Sequence, residues 1–293
     1  MTSYPPLPET PARAGAAITE RTVEASGFQT RVLEAGDRNA PAVLLLHDGA
    51  WGASADVTWS RMIPLLAQDR YVVAPDMLGY GDADKAVFLD RSSHSFRIKH
   101  LTALLTTLGL TDPIDVVGNS FGGAVALRAL VAPGAFPIRS AVSIAGSGGP
   151  WRTETAIREL SEWDGTREDL ARVTGLLIDR TPHFEEMLDS RLHWASQPGH
   201  VRAVRAPTGL VPDRLRVRVD DPWPEQLQGC LTPTLLVRCT RDELLEKEWA
   251  THVAEAHPHA QVVEIDHRHS PNVDLPDETT EIIRAFWTTN RFL

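Results

Sequence analysis

The sequence predicts an α/β fold, a mostly parallel β-sheet flanked by helices, with a helical segment inserted into it. Three observations carry that expectation. Between about residues 42 and 145, short apolar runs alternate with segments of helical periodicity, the pattern of β–α units that build a parallel sheet. The apolar runs AVLLLH and IDVVG are hydrophobic at consecutive positions, as suits strands covered on both faces. From 148 to about 224 the strand signal stops and helical stretches follow one another, after which strand and helix resume.

In chain order, MTSYPPLPETPARAGAA is Pro- and Ala-rich and reads as a loose tail over residues 1–17. ITERTVEASG and FQTRVLEAGD alternate apolar and polar residues between glycines, which predicts an antiparallel pair. AVLLLH is a buried strand, TWSRMIPLLAQD a helix, RYVVAPDMLG a buried strand and SHSFRIKHLTALLTTLG an amphipathic helix ending at Gly109. IDVVG, GGAVALRALVA and IRSAVSIAG continue as strand, helix and strand. ETAIRELSEW, REDLARVTGLLID and PHFEEMLDSRLHWAS are helical without intervening strands, and a Pro-rich stretch closes them. PTLLVRCT, LLEKEWATHVAEAH, AQVVEID and DETTEIIRAFWTT restore the alternation. The expected organisation is a core of residues 1–147 and 225–293 with a helical insertion over 148–224. No internal repeat or low-complexity array is present.

Composition narrows the class. The 293 residues are 42% hydrophobic and 23% charged, the balance of an ordinary globular protein with room for a large core. A net charge of −10 argues against nucleic acid or an anionic membrane as partner, since both require clustered cations. No apolar run reaches spanning length and no secretory leader is visible, so a cytoplasmic setting is the simplest. Two cysteines, Cys230 and Cys239, form no disulfide framework. A homodimer through the insertion or an edge strand is compatible with the sequence, which does not choose between them.

VVGNSFGG carries the main chemical signal. It joins a buried strand to a helix and fits Gly-x-Ser-x-Gly through Gly118, Ser120 and Gly122. A serine at the tip of such a turn is pushed up from the sheet, and the glycines let neighbouring backbones pass closely. The helix that starts there aims N–H groups at developing negative charge. A serine that merely caps a helix is the bland alternative, and the strand–turn–helix context weighs against it.

With this motif in that context, the sequence resembles the α/β-hydrolase family from about Thr19 to Leu293. The resemblance implies a triad in the order Ser, acid, His, with a lid inserted after the sixth strand, where the helical insertion falls. Asp242 follows the strand PTLLVRCT and is the expected acid. Glu243 is its neighbouring alternative, and capping the helix that follows, a common duty of aspartate, is the bland reading of Asp242. After the last strand, His269 fits the family register, with Pro271, Asp274 and Pro276 behind it, and His267 reads as structural. The pairs His267/His269 and His257/His259 lack further ligands at sensible spacing, so neither a metal nor a cofactor is expected. His269 would take the proton of Ser120 while Asp242 orients the imidazole. The backbone N–H groups of Phe121 and Gly49 would form the oxyanion hole.

The stretches HDGAWGASADVTWSRMIPLLAQDRYVVAPDMLGYGDAD and VVGNSFGGAVAL look like the meta-cleavage-product hydrolases, which split carbon–carbon bonds in vinylogous diketo acids. The resemblance implies a small-molecule keto-acid substrate. Asn119, before the serine, is a feature of that group, and HFEEMLDSRLHWAS matches its lid, making Arg191 the candidate for the substrate carboxylate. Arg191 shares a helix face with Phe184, Met187 and Leu188, which either lets it snorkel to solvent or turns it into the cleft. The departures are Asp48 for a glycine, Trp51 for a proline and Ser270 for the tryptophan that often follows the histidine. Asp48, Asn119, Arg191, Trp51 and Ser270 are therefore the candidate substrate-binding positions. An Asp48 carboxylate aimed into the oxyanion hole would oppose the reaction. It is expected to turn away and accept hydrogen bonds from loop N–H groups; protonation, or a polar contact with substrate, are the alternatives. Ester, lactone or thioester hydrolysis rivals carbon–carbon cleavage, and a lyase or ligand-binding role is the reading from outside hydrolysis. Met77, Trp151, Trp163, Phe184 and Trp194 either line the pocket or belong to the core.

Overall fold

The computed structural model describes residues 17–206 and 221–290. The tail expected over 1–17 falls almost wholly outside them, as does most of the Pro-rich end of the insertion.

Eight strands form one sheet in the order β1-β2-β4-β3-β5-β6-β7-β8. β1 (Thr19–Ala25) and β2 (Phe28–Ala35) are an antiparallel hairpin, with Thr19 opposite Glu34 and Ala25 opposite Phe28. β2 also runs antiparallel to β4 (Tyr71–Pro75). β3 (Ala42–Leu46), β4, β5 (Ile114–Asn119), β6 (Ile138–Ile144), β7 (Thr234–Cys239) and β8 (Ala260–Ile265) are parallel. The consecutive apolar residues of β3 are explained by burial on both faces. Val43 and Leu45 pack with Trp59, Val142 and Phe286 on one side, and Leu44 and Leu46 with Leu101, Leu104 and Val125 on the other.

Helices α1 (Ala55–Trp59) and α2 (Ile63–Leu66) follow β3. The sequence predicts one helix over 58–69; the chain instead caps a first helix with Ser54 and restarts at Ile63, with Pro64 in the first turn, where proline is suited. α3 (Ser93–Thr107) and α4 (Phe121–Ala129) lie as their periodicity predicts. Between β6 and β7 come α5 (Glu154–Arg158), α6 (Arg167–Leu177), α7 (Phe184–Ala195) and α8 (His200–Arg205). These helices form their own apolar cluster, in which Leu170, Val173, Phe184 and Leu188 meet Trp51, Leu244 and Val273 of the core. α9 (Trp249–Ala256), α10 (Pro271–Asp274) and α11 (Pro276–Thr289) complete the chain. α9 starts five residues later than the apolar spacing of LLEKEWATHVAEAH predicts. The preceding residues are drawn toward the insertion instead: Leu245 bridges Arg152, and the N–H of Glu246 donates to Trp151 O.

Cys230 and Cys239 are buried and free. No helix among the described residues is long and apolar enough to cross a membrane.

Candidate active site

The parallel strands β3, β5, β7 and β8 end on one edge of the sheet, and the loops leaving those ends converge there. Ser120 sits between β5 and α4 with φ 53° and ψ −114°, a backbone that L residues adopt only under constraint from their surroundings. The constraint is visible at Gly122, where a Cβ would lie 2.1 Å from Leu46 O, so only glycine lets α4 begin against the end of β3.

The loop after β7 brings Asp242 and the loop after β8 brings His269 to this turn. Ser120 Oγ lies 2.7 Å from His269 Nε2, and His269 Nδ1 lies 2.8 Å from Asp242 Oδ2. The other Asp242 oxygen accepts the N–H of Leu244 at 2.8 Å, so the acid is held at both ends. A carboxylate on Nδ1 keeps the proton there and leaves Nε2 free to accept the serine proton. Glu243 is engaged elsewhere, accepting from Arg268 Nη1 at 2.8 Å. His267 points away from the serine, 3.0 Å from Asp274, as a structural group.

Asp179, His267 and Asp274 are the one trio of metal-ligand type among the described residues. Arg241 and Arg268 both pair with Asp179 there, and Asp274 meets His267.

The loop after β3 forms the opposite wall. His47 is buried and donates from Nδ1 to Asp48 O at 2.6 Å, while its Nε2 accepts the N–H of Met77 at 2.9 Å. Burial pushes its pKa down, which keeps the ring neutral and able to make both bonds. Gly49 packs on the start of α4, where a Cβ would fall 2.7 Å from Phe121 Cβ. Gly49 and Phe121 thus flank Ser120 along one cavity.

Asp48 is turned away from that cavity. Only 1% exposed, it accepts from Ala50 N at 2.9 Å and Thr58 Oγ1 at 2.9 Å. It also pairs with Arg191, whose Nη2 and Nη1 lie 2.8 and 3.3 Å from its two oxygens. Burial would raise the carboxyl pKa, but the Arg191 guanidinium and the loop N–H hold it below the usual carboxylate range. The hydrogen bonds to the loop follow the sequence-based expectation; the ion pair does not. Arg191 was expected at the substrate carboxylate. Its guanidinium, 2% exposed, is instead committed to Asp48 and Trp51 O, and neither Asp48 nor Arg191 lines the cavity.

Asn119 and Ser270, also expected at the substrate, are turned inward as well. Ser270 Oγ donates to Asn119 Oδ1 at 2.9 Å, and Asn119 Nδ2 donates to the carbonyls of His269 and Ile144 at 3.2 and 3.3 Å. Together they tie the histidine loop to β5 and β6. Of the five expected substrate contacts, Trp51 alone lines the cavity.

The cavity has a volume of about 320 Å³. Its aromatic wall is Trp51, Tyr80 and Phe121. Met77, Trp151, Trp163, Phe184 and Trp194 stand outside it: Trp163 packs on Trp51, Trp151 stacks on His252, and Trp194 donates to Asp56. Sequence reasoning missed the titratable wall residues His94, Arg97 and Arg152. For the first two a signal exists. His94 and Arg97 lie one turn apart on α3, and Arg97 falls among the buried positions Phe96, Ile98 and Leu101. A cation on the buried stripe of an amphipathic helix is informative.

The sequence profile described as "Alpha/beta hydrolase family" matches residues 43–282. The chain belongs to that family. Among the relatives of this α/β hydrolase is the 2-hydroxy-6-oxo-6-(2'-aminophenyl)hexa-2,4-dienoic acid hydrolase of Metapseudomonas resinovorans, 29% identical over 81% of this chain and 80% of its own length. Lipase 1 of Psychrobacter immobilis is 28% identical over 89% and 81%. Among solved structures, a serine hydrolase involved in carbazole degradation (the CarC enzyme) superposes with TM-score 0.79 at 27% identity, covering 93% of this chain and all of that one.

Proposed function

We propose that this α/β hydrolase is a serine hydrolase acting through Ser120, His269 and Asp242, and that its reaction is hydrolytic cleavage of a carbon–carbon bond in a keto acid of the meta-cleavage-product type. The observation that carries the hydrolase reading is the continuous chain of short contacts from Ser120 Oγ through His269 to Asp242, at 2.7 and 2.8 Å, opening on a partly apolar cavity. The relative from M. resinovorans supports the choice of bond.

In this reading Ser120 Oγ loses its proton to His269 Nε2 and attacks the substrate carbonyl. The oxyanion is received by the N–H groups of Gly49 and Phe121. A carbon leaves only as a stabilised carbanion. A vinylogous keto acid supplies that stabilisation by delocalising the charge onto its own carbonyl, and His269 returns the proton to the departing carbon. Water, activated by the same imidazole, then releases the acyl group from Ser120. The insertion α5–α8 acts as the lid over this chemistry, and a cytoplasmic small-molecule enzyme without cofactor is the simplest setting.

Ester, lactone or thioester hydrolysis is the second reading. The engagement of Arg191 by Asp48 favours it, because that pair fills the fork expected to hold a substrate carboxylate. Two measurements test the readings. A fluorophosphonate probe should label the native chain and fail to label Ser120→Ala; an unlabelled native chain overturns the hydrolase reading. Turnover of a yellow dienoate ring-fission product, measured beside aryl esters, separates the bonds: ester turnover alone, with no loss of dienoate colour, overturns carbon–carbon cleavage.

A further inference from the structure

The displaced role of Arg191 leaves an unanswered question of charge. The chain has a net charge of −10, yet the cavity wall contains two arginines, Arg97 and Arg152, and neither Asp nor Glu among the described residues. Arg152 is exposed. Arg97 is 3% exposed and sits on α3 beside Ser120's neighbour Phe121, with its guanidinium carbon 5.0 Å from that ring, 5.3 Å from Tyr80 and 4.4 Å from Phe96.

The partners of Arg97 are unusual for a buried cation. Nε donates to Leu78 O at 2.9 Å and Nη1 to Ser93 O at 2.9 Å, both neutral carbonyls. Among the described residues no carboxylate pairs with it and no hydrogen bond engages Nη2. By contrast Arg31, Arg191 and Arg139 each bind an aspartate. A buried charge without a counter-ion is costly, and fixed neutral dipoles compensate only part of that cost. Burial accordingly pushes the Arg97 pKa down, to about 10, a value that leaves it cationic at neutral pH. Nearby His94, its pKa pushed down to about 3 by burial and by Arg128 and Arg97, is neutral and supplies no competing charge.

We propose that Arg97 is the anion-binding residue of the cavity, so that the substrate's carboxylate lies against α3 and Phe121 instead of against α7 and Arg191. Two carbonyls fix the guanidinium in place, three rings surround it, and Nη2, which donates to no described residue, is the donor left for an anion. Arg152 at the exposed edge attracts the anion without holding it. This deepens the keto-acid reading and rests on it for the claim that the ligand is a substrate.

The test is calorimetric binding of 4-phenylbutanoate and of its uncharged isostere 4-phenylbutanamide to the Ser120→Ala chain at one ionic strength. The carboxylate is expected to bind at least tenfold more tightly, as a charge-assisted hydrogen bond in a shielded site supplies. Arg97→Met is expected to bring the ratio to about one, and Arg191→Met to leave it unchanged. A ratio near one in the Ser120→Ala chain itself, or a ratio that survives Arg97→Met, overturns the proposal; a ratio lost only with Arg191→Met returns the site to Arg191. Arg97→Gln replaces Arg97→Met if the latter does not fold, and the ratio in the Ser120→Ala chain stays decisive in either case. With Ser120 present, the carboxylate should slow fluorophosphonate labelling and the amide should not; a carboxylate that binds without protection lies elsewhere and overturns the assignment. Absence of labelling strikes the hydrolase reading and leaves the binding ratio standing, whereas labelling with a ratio near one strikes only the anion site.

Discussion

Replacing Asp48 by asparagine keeps the shape of the side chain and one oxygen to accept from Ala50 N–H, but it replaces the oxygen that accepts from Thr58 by a donor and removes the charge that Arg191 faces. Both partners are almost fully buried, at 1% and 2% exposure, and one guanidinium nitrogen, Arg191 Nε, already lacks a hydrogen-bond partner. Breaking a buried pair from one side costs about 3–5 kcal/mol, because the surviving charge stays desolvated. For a chain of this size that corresponds to a fall in Tm of order 10 °C. Arg191→Met alone should cost a similar amount, while Asp48→Asn/Arg191→Met should recover most of it, since neither charge remains. The coupling energy from urea unfolding of the four proteins is expected to exceed ~1.5 kcal/mol.

The pH dependence has a definite sign. Because the folded-state pKa of Asp48 is depressed, its contribution is fully present above the unfolded value of about 4 and is lost as pH falls through the folded value. The stability gap between native chain and Asp48→Asn should therefore be constant from pH 7 to 5 and close below pH 4. A gap under 1 kcal/mol at pH 7, or a coupling energy near zero, would refute the view that this pair fastens α7 to the loop after β3.

Three further outcomes follow from particular contacts. Gly122→Ala places a methyl on Leu46 O and should abolish soluble, probe-reactive protein, as judged by circular dichroism and labelling. Ser270→Ala removes one hydrogen bond to Asn119, of about 1 kcal/mol; kcat should fall several-fold with KM nearly constant, because the histidine loop loses position and the cavity wall is unchanged. Cys239 is buried and its thiol pKa is pushed up by desolvation, so iodoacetamide should leave it unmodified in the native chain and alkylate it after unfolding, by mass spectrometry.

Much of this structure is legible in local pattern. β3 and β5 read as doubly covered strands because both faces of the sheet pack on helices, and the Gly-x-Ser-x-Gly turn announces itself because each glycine is a point of close backbone approach. His269 and Asp242 are legible through chain order and register, since each must follow a particular strand end. Side-chain direction is less legible. Arg191 lies on an apolar helix face, and the spacing cannot tell whether such a residue meets a ligand or a protein acid. The deciding partner, Asp48, is 143 residues away in sequence, on a loop whose usual glycine would have left Arg191 unpaired. The late start of α9 is hidden for the same reason: its predicted first turn is recruited by Trp151 and Arg152 of the insertion, a contact no local periodicity encodes.

The long-range contacts that sequence reading misses are those that join the insertion to the chemistry. Asp48 and Arg191 fasten α7 to the loop that carries Gly49, and Gly52 of that loop lies so close to α7 that a Cβ would sit 2.0 Å from Arg191 O. On the other side Asp179, just after α6, binds Arg241 and Arg268, the residues immediately before Asp242 and His269. The N–H of Asp179 also donates to Asp274, and the N–H of Ser270 to Leu177 O. The insertion therefore grips each of three loops that carry candidate catalytic groups, and a displacement of α6 or α7 would move Gly49, Asp242 and His269 together. An insertion bound in this way cannot be a freely swinging cover. Among the described parts of the insertion, α5 and the segment around Arg152 are held to the core differently, by the Arg152–Leu245 bridge, the Glu246 N–H to Trp151 O bond, the stacking of Trp151 on His252, the bonds of Thr153 to Leu244 and Glu243, and the Trp51 indole on Leu160 O. None of these contacts reaches Gly49, Asp242 or His269. That side of the cavity is also the side on which an exposed arginine stands.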